Sequence, residues 1–253
     1  MWESLKSLLI WCAIALLVLI WLPLMAVIRL FDRDPAHYYT GKFFRKLGKT
    51  ISRINPNWQL SITGKVNIDD RRPYVVVCNH LSQADIPLIS NLPWEMKWVA
   101  KKILFDTPVV GWMMKLAGDI SVDRQATDRK ERTLDKASYY LDRQCSVMFF
   151  PEGTRSRNGK LNAFTRGAFK LAIREDVPVL PLVIDGTQNT LPKRSWKFGI
   201  AKHIKLRVLP PVSVEKYEEN QARSLSQEVR GQILNQLAEW RNQPADELDN
   251  LAT

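Results

Sequence analysis

The sequence predicts an α/β fold with a largely parallel central sheet flanked by helices, preceded by an N-terminal hydrophobic and amphipathic helical segment. Three observations carry this reading. Beyond residue 56, short apolar runs alternate with stretches of helical period, the pattern of strands joined by helical crossovers. The residues suited to chemistry cluster just after those runs, at the edge of a parallel sheet where ligands bind. Ahead of all this, Ser7 to Ile28 contains no Asp, Glu, Lys, Arg or His.

The N-terminal stretch is long enough to cross a bilayer, which takes ~20 apolar residues. A cleaved signal peptide is the competing reading, but no Ala-x-Ala-like site follows the run, and Arg29 and Arg33 lie beyond it. Pro23 is expected to kink or end the helix, so a re-entrant dip stays open beside a full span. Lys6 alone precedes the segment among Lys and Arg, whereas Arg29, Arg33, Lys42, Arg45, Lys46 and Lys49 follow it. That bias puts the bulk of the chain on the cytoplasmic side of a membrane, the inner membrane in a bacterium. On a helix from Lys42 to Ile54, Phe43, Phe44, Leu47, Ile51 and Ile54 fall within about 100° of arc, with Lys42, Arg45, Lys46, Lys49 and Arg53 opposite. An all-basic polar face suits anionic lipid; a surface helix packed on a core is the alternative. Residues 1–56 are thus read as a membrane-docking unit and 57–253 as the catalytic domain.

Within that domain the expected strands are Gln59 to Thr63, Tyr74 to Cys78, Trp98 to Ala100, Asp119 to Val122, Ser146 to Phe150, Val179 to Ile184 and Ile204 to Leu209. The expected helices are Ile86 to Ser90, Pro108 to Ala117, Lys130 to Asp142, Thr165 to Arg174 and Leu225 to Trp240. Ser224 and Gln227 form a capping-box pattern for the last of these. If the strands run parallel, the loops beginning at His80, Asp123-Arg124, Pro151-Glu152-Gly153 and Asp185-Gly186-Thr187 meet at one edge.

A formal charge of +11, from 37 Lys and Arg against 26 Asp and Glu, points to an anionic partner: phosphorylated substrate, acidic membrane or nucleic acid. No nucleic-acid motif accompanies it, and an apolar segment of membrane length argues for lipid. The three cysteines, Cys12, Cys78 and Cys145, are too scattered for a disulfide framework and fit a reducing compartment.

His80 and Asp85 offer a general base with an orienting carboxylate. Five helical residues turn the chain by ~500°, leaving the two about 140° apart, so they pair only if His80 lies in the loop before the helix. Pro87 suits a first helical turn and places the helix start near Asp85, which allows that. The same fact leaves Asp85 open as an N-cap, or as the acid of a Ser82-x-x-Asp85 box. Glu152-Gly153-Thr154-Arg155 has the look of a phosphate site, with close backbone approach, a hydroxyl and a cationic fork. A solvated basic loop of Arg155, Arg157 and Lys160 is the bland alternative, and Arg124, Lys101 and Lys102 share that ambiguity. A P-loop is excluded, since five residues separate Gly153 from Gly159 and Leu161 follows Lys160. No G-x-S-x-G elbow and no His/Cys metal cluster is present, and the isolated His37 and His203 read as surface residues.

Taken in order, Asn79-His80 with Asp85, Lys101-Lys102-Ile103-Leu104-Phe105 through Asp123-Arg124, Phe150-Pro151-Glu152-Gly153-Thr154-Arg155-Ser156 and Val177-Pro178-Val179-Leu180-Pro181 resemble the four blocks of the glycerolipid acyltransferases. The likeness covers roughly Asn57 to Leu209 and is strongest to bacterial lysophosphatidic acid (1-acylglycerol-3-phosphate) acyltransferases; Ile103 departs from the polar or acidic residue that many members carry. The resemblance implies that His80 deprotonates the free hydroxyl of a lysophospholipid while Asp85 fixes its tautomer. The alkoxide then attacks an acyl thioester, of acyl-CoA or acyl-carrier protein, to give phosphatidic acid with no cofactor and no metal. It further implies that Glu152, Gly153, Thr154 and Arg155 hold the glycerol-phosphate portion, assisted by Arg124 and by Lys101 or Lys102. Trp94, Trp98, Phe105, Trp112, Met113 and Met114 are candidates for an acyl channel, with an ordinary core the alternative for most.

Overall fold

The computed structural model describes residues 2–65, 68–69, 71–123, 127–191, 195–199 and 201–251. Helix α1 (Trp2–Phe31) runs through Pro23 without ending there. Only 6% of its most apolar stretch is buried: Leu16, Leu19, Ile20, Leu24 and Val27 are exposed, while Leu17, Val18 and Leu22 pack toward Leu47, Met113 and Ala117. The chain then turns back: Asp32 accepts from the Thr40 amide at 2.8 Å and its hydroxyl at 2.6 Å, tying the corner to the first turn of α2 (Tyr38–Ile54). Trp21 stacks on Phe43 at 4.8 Å and donates to its carbonyl at 3.1 Å, which fixes α1 against α2.

The sheet comprises β1 (Trp58–Gly64), β2 (Val75–Cys78), β3 (Met96–Lys101), β4 (Ile120–Val122), β5 (Ser146–Phe149), β6 (Val179–Asp185) and β7 (Ala201–Val208). Their order is β1-β7-β6-β2-β5-β3-β4. All pairings are parallel except β6 with β7, which run antiparallel. The helices are α3 (Asp85–Ile89), α4 (Lys102–Phe105), α5 (Val110–Ala117), α6 (Thr127–Leu141), α7 (Gly167–Arg174) and α8 (Ala222–Arg241). Successive strand residues point to opposite faces. Val75, Val77 and Val147 accordingly pack with Ala137, Phe169 and Val229 of α6, α7 and α8, while Val76, Cys78 and Met148 pack with Leu88 and Ile89 of α3. Both faces are covered, as a mostly parallel sheet requires.

The expected strands all form, with ends displaced by one or two residues except at β7, which begins three residues early at Ala201, and α4 was not expected. Helix α8 starts earlier than its sequence signal, at Ala222. The capping box there joins Glu218 to Gln221, through the Glu219–Gln221 turn, rather than Ser224 to Gln227.

The largest departure concerns α2. Arg45, expected on an exposed basic face, points inward and is 6% exposed. Its guanidinium bonds Asp119 and lies 3.4 Å from Glu95. Lys97 completes the group, donating to Glu95 at 3.0 Å and to the carbonyls of His37 and Ala117 at 3.1 and 2.8 Å. Burial pushes the Glu95 carboxyl up from its usual range, against the pull of Lys97 and Arg45. Two cations and two carboxylates thus sit under α2 in a nearly dry setting. Gly41 lets the helix come this close, since a Cβ there would lie 2.0 Å from Glu95 Oε1. His37 is likewise no free surface residue: Arg29 donates to its Nε2 at 2.9 Å in the α1–α2 corner, whereas His203 is exposed as expected.

Candidate active site

Strand β2 is buried along its whole length and delivers the chain to the carboxyl edge of the sheet at Asn79. The Asn79 amide exchanges two hydrogen bonds with Ile184 of β6, at 2.8 and 2.9 Å, which holds the point where the loop leaves the sheet. At His80 the backbone is clamped from the loop after β5: its N–H donates to Glu152 Oε1 at 2.7 Å, and its carbonyl accepts from the Ser156 amide at 2.8 Å. The imidazole stacks on Phe150 with ring centres 3.9 Å apart. Backbone and ring are therefore fixed separately by the same loop.

Asp85 is fully buried and Asp85 Oδ2 lies 2.8 Å from His80 Nδ1. The same oxygen accepts the Leu81 and Ser82 amides at 2.7 and 2.9 Å, and Oδ1 accepts the Thr187 hydroxyl at 2.5 Å. Asp85 is the first residue of α3, after Ala84 at the cap position. Its carboxylate reaches back to His80 and to the Leu81 and Ser82 amides of the preceding loop, and no side chain caps the helix at Ala84, so the pairing with His80 and not the N-cap is the arrangement that forms. With Asp85 taking the Nδ1 proton, Nε2 keeps the lone pair. Among the described residues Nε2 has no hydrogen-bond partner, and the His80 side chain remains 15% exposed. This is a base with its proton-accepting atom unspent. Cys78, two residues upstream, is no nucleophile: burial, reinforced by the charges of Asp85 and Glu152, pushes its thiol well above the usual value.

Glu152 is buried and burial raises its carboxyl, with the amides of His80 and Asn162 opposing. Both oxygens are occupied, since Oε2 accepts the Asn162 backbone and side-chain N–H groups at 3.1 and 2.7 Å. Its contacts join two loops. Asn162 is in turn held by Arg230 of α8, which donates to its carbonyl at 3.0 Å and pairs with Asp249. Nothing in the sequence pattern around Asn162, Arg230 or Asp249 marked them as supports of the site.

The remaining candidates fall at the same edge with their charges available. Gly153 turns the chain at φ 69°, Thr154 is exposed and Arg155 half-buried. Lys101 ends β3 and Lys102 opens α4, both exposed. Among the described residues none of Lys101, Lys102 and Arg155 forms an ion pair. Arg124 lies outside the described residues. The loop from Asp185 divides: Asp185 turns away to a bidentate pair with Arg241 at 2.6 and 3.1 Å, while Thr187 reaches Asp85.

Beside the dyad opens a cavity of about 310 Å³, lined by Trp11, Ile14 and Val18 of α1, by Phe44, Leu47 and Ile51 of α2, and by Met113 and Met114. Gln83, Ala84 and Pro87, flanking Asp85, form the wall toward the catalytic loop, and Arg45 with Asp119 adds a polar patch. Of the six channel candidates, Trp98, Met113 and Met114 line it. Trp94 and Phe105 are core, and Trp112 is 53% exposed on the surface.

Residues 59–185 match the acyltransferase family model. The chain is 35% identical over 181 residues to the chloroplastic 1-acyl-sn-glycerol-3-phosphate acyltransferase BAT2 of Brassica napus, covering 71% of this chain and 51% of that protein. It is 34% identical over 178 residues to the human 1-acyl-sn-glycerol-3-phosphate acyltransferase alpha, at 70% and 62% coverage. With the Saccharomyces cerevisiae 1-acyl-sn-glycerol-3-phosphate acyltransferase it shares 30% over 216 residues, at 83% and 69%. The chain thus spans about half to two thirds of the length of these relatives. Its fold matches the crystal structure of the 1-acyl-sn-glycerophosphate (LPA) acyltransferase PlsC from Thermotoga maritima with a TM-score of 0.77 and 27% identity, over 94% of this chain and 98% of that one. A family match that contains both His80 with Asp85 and Glu152 to Arg155, together with similarity to yeast over most of both chains, makes this chain a member of the acyltransferase family.

Proposed function

We propose that this protein transfers a fatty acyl group from an acyl thioester to the free hydroxyl of lysophosphatidic acid, making phosphatidic acid at a membrane surface. The observation that carries the reading is the buried Asp85 carboxylate on Nδ1 of His80, with Nε2 left to accept a proton. His80 Nε2 takes the proton of the acceptor hydroxyl as its oxygen bonds the thioester carbonyl carbon. The carbon–sulfur bond then breaks, and the imidazolium returns the proton to the departing thiolate. A thiol of pKa ~8.5 leaves readily, so no covalent enzyme intermediate is needed. Asp85 holds the imidazole in the tautomer this requires.

The available cations of Lys101, Lys102 and Arg155 suit the phosphate of the acceptor, with Thr154 as a hydroxyl donor and the Gly153 turn allowing close approach. Glu152 serves by positioning, because its oxygens already hold the His80 loop and Asn162. The outward apolar face of α1 suits a bilayer, and the cavity shared by α1, α2 and the catalytic loop suits an acyl chain. The activities for which the Brassica, human and yeast relatives are named support lysophosphatidic acid over other lysolipids.

The test is a panel of purified full-length protein in lipid vesicles, with lysophosphatidic acid, lysophosphatidylcholine and a lyso-ornithine lipid each offered acyl-CoA and acyl-carrier protein. The expected product is phosphatidic acid from the first acceptor. Preference for another lysolipid changes the substrate; vesicle binding with no thioester consumed with any donor overturns the reading.

A further inference from the structure

We infer that Thr187 is a positioning residue for the dyad, holding the Asp85 carboxylate in the one orientation that presents it to His80; the inference rests on the acyl-transfer reading given above. Asp85 Oδ2 is shared by His80 Nδ1 and two amides, all from residues 80–82. These contacts resist rotation about the Cβ–Cγ bond at one oxygen only. The other oxygen is set by the Thr187 hydroxyl, at 2.5 Å, and by no other group among the described residues. Thr187 is fully buried and lies in the loop after β6, the strand paired with β2, 102 residues from Asp85, so its contact is tertiary and not part of the local turn.

The approach of Thr187 is itself constrained. Strand β6 ends at Asp185, and Gly186 turns the chain at φ 81°, where an added Cβ would lie 2.3 Å from the His203 carbonyl. Beyond the turn, the Thr187 carbonyl accepts both the Thr190 amide at 3.0 Å and its hydroxyl at 2.5 Å. Thr190 Oγ1 is 3.0 Å from Ser82 Oγ, which accepts the Ala84 amide at 3.3 Å. Thr187, Thr190 and Ser82 are 0, 0 and 2% exposed, so this ring of hydroxyls is dry. It encircles Asp85 and joins the loop after β6 to the loop after β2. A buried hydroxyl that donates to a carboxylate and has its own carbonyl occupied has little freedom to move elsewhere.

The experiment uses the full-length protein in lipid vesicles, with Thr187→Val, which keeps the shape and removes the hydroxyl, and Thr187→Ser, which keeps the hydroxyl. A hydrogen bond to a charged group is worth a factor of ~10–100, so kcat of Thr187→Val is expected to fall by ~10–100-fold. KM for both substrates is expected to stay within about twofold. Thr187→Ser should recover most of kcat, because the donor and not the methyl group is what matters. In parallel, the His80 Nδ1 proton is followed by NMR: sharp in the parent and in Thr187→Ser, broadened by solvent exchange in Thr187→Val. Undiminished kcat in Thr187→Val overturns the inference, as does a loss that Thr187→Ser fails to restore. If the parent transfers no acyl group, the functional reading fails instead, and an unchanged Nδ1 signal in Thr187→Val then overturns the positioning role by itself.

Discussion

Two ionic clusters, one under α2 and one at the carboxyl end of β2, are assembled from similar groups to opposite effect. Under α2, Arg45, Glu95, Lys97 and Asp119 are almost wholly buried, and their charges balance among themselves. At the sheet edge, Asp85 is equally buried but its partner is an imidazole that keeps some exposure to solvent and has one nitrogen unengaged. Lys97 uses all three ammonium protons on Glu95 and two carbonyls; His80 uses only Nδ1. Burial and short contacts are common to both clusters, so neither distinguishes a reactive centre from a structural one. Exposure of the unspent atom does: Arg45 Nε, Glu95 Oε2 and Asp119 Oδ2 also lack hydrogen-bond partners but are buried, whereas the His80 side chain reaches solvent.

The sharpest way to break this comparison is to remove each key group and ask what is lost. For His80→Ala and Asp85→Ala, acyl transfer is expected to fall by ~10²–10⁴-fold. The thermal unfolding midpoint should stay close to that of the parent for His80→Ala and drop for Asp85→Ala, which leaves the Leu81 and Ser82 amides and the Thr187 hydroxyl without their acceptor. Retained turnover in either purified variant would contradict the reactive assignment. For Asp119→Ala the expected loss is in stability, about 3–5 kcal/mol, because Arg45 loses its shorter ion pair in the interior and two buried cations are left to share Glu95 alone. Replacing both partners, Arg45→Met with Asp119→Leu, should return much of that stability, since an apolar pair of similar volume avoids the desolvation cost. Denaturant melts in detergent check both, and a double variant no better than Asp119→Ala would show that the cluster does more than balance its own charge.

The smallest effect belongs to His37, whose carbonyl accepts Lys97 and which therefore borders the structural cluster. Burial, reinforced by Arg29 and Lys97, holds the His37 imidazole below its usual pKa, so the folded state keeps it neutral. The unfolded chain takes up the proton first as pH falls. Stability is accordingly complete above about pH 6.5 and declines as pH drops through the lower folded value. A His37→Gln variant should flatten that slope in melts recorded between pH 7 and 5, with activity at pH 7 little changed.

What the sequence revealed follows the range of the interactions. The strands announce themselves through local apolar runs, and even the three-residue β4 is visible between a glycine and a charged loop. The dyad was legible because His80, Asp85 and Pro87 are neighbours in the chain, and their helix geometry leaves one way to pair. Arg45 was misplaced because a helical wheel knows nothing of Glu95 and Asp119, which approach from 50 or more residues away. Glu152 looked like a substrate ligand for the same reason: its partners, His80 and Asn162, are supplied by other loops. The antiparallel step at β7 was hidden too, since the long connection from β6 carries no hairpin signature.

The pairing of β1 with β7 has a consequence for how the molecule is made. Residues 58–64 emerge early from the ribosome, but their sheet partner is residues 201–208. Until nearly the whole polypeptide exists, β1 is a strand with no neighbour, tethered by α2 to an apolar α1 that has already been completed. Contacts of such long sequence separation are slow to form, and an unpaired strand edge invites wrong partners. Closing the sheet on its last strand therefore makes the arrival of residues 201–208 the step that ends this vulnerability, and a nascent chain halted before residue 201 is the form most exposed to aggregation.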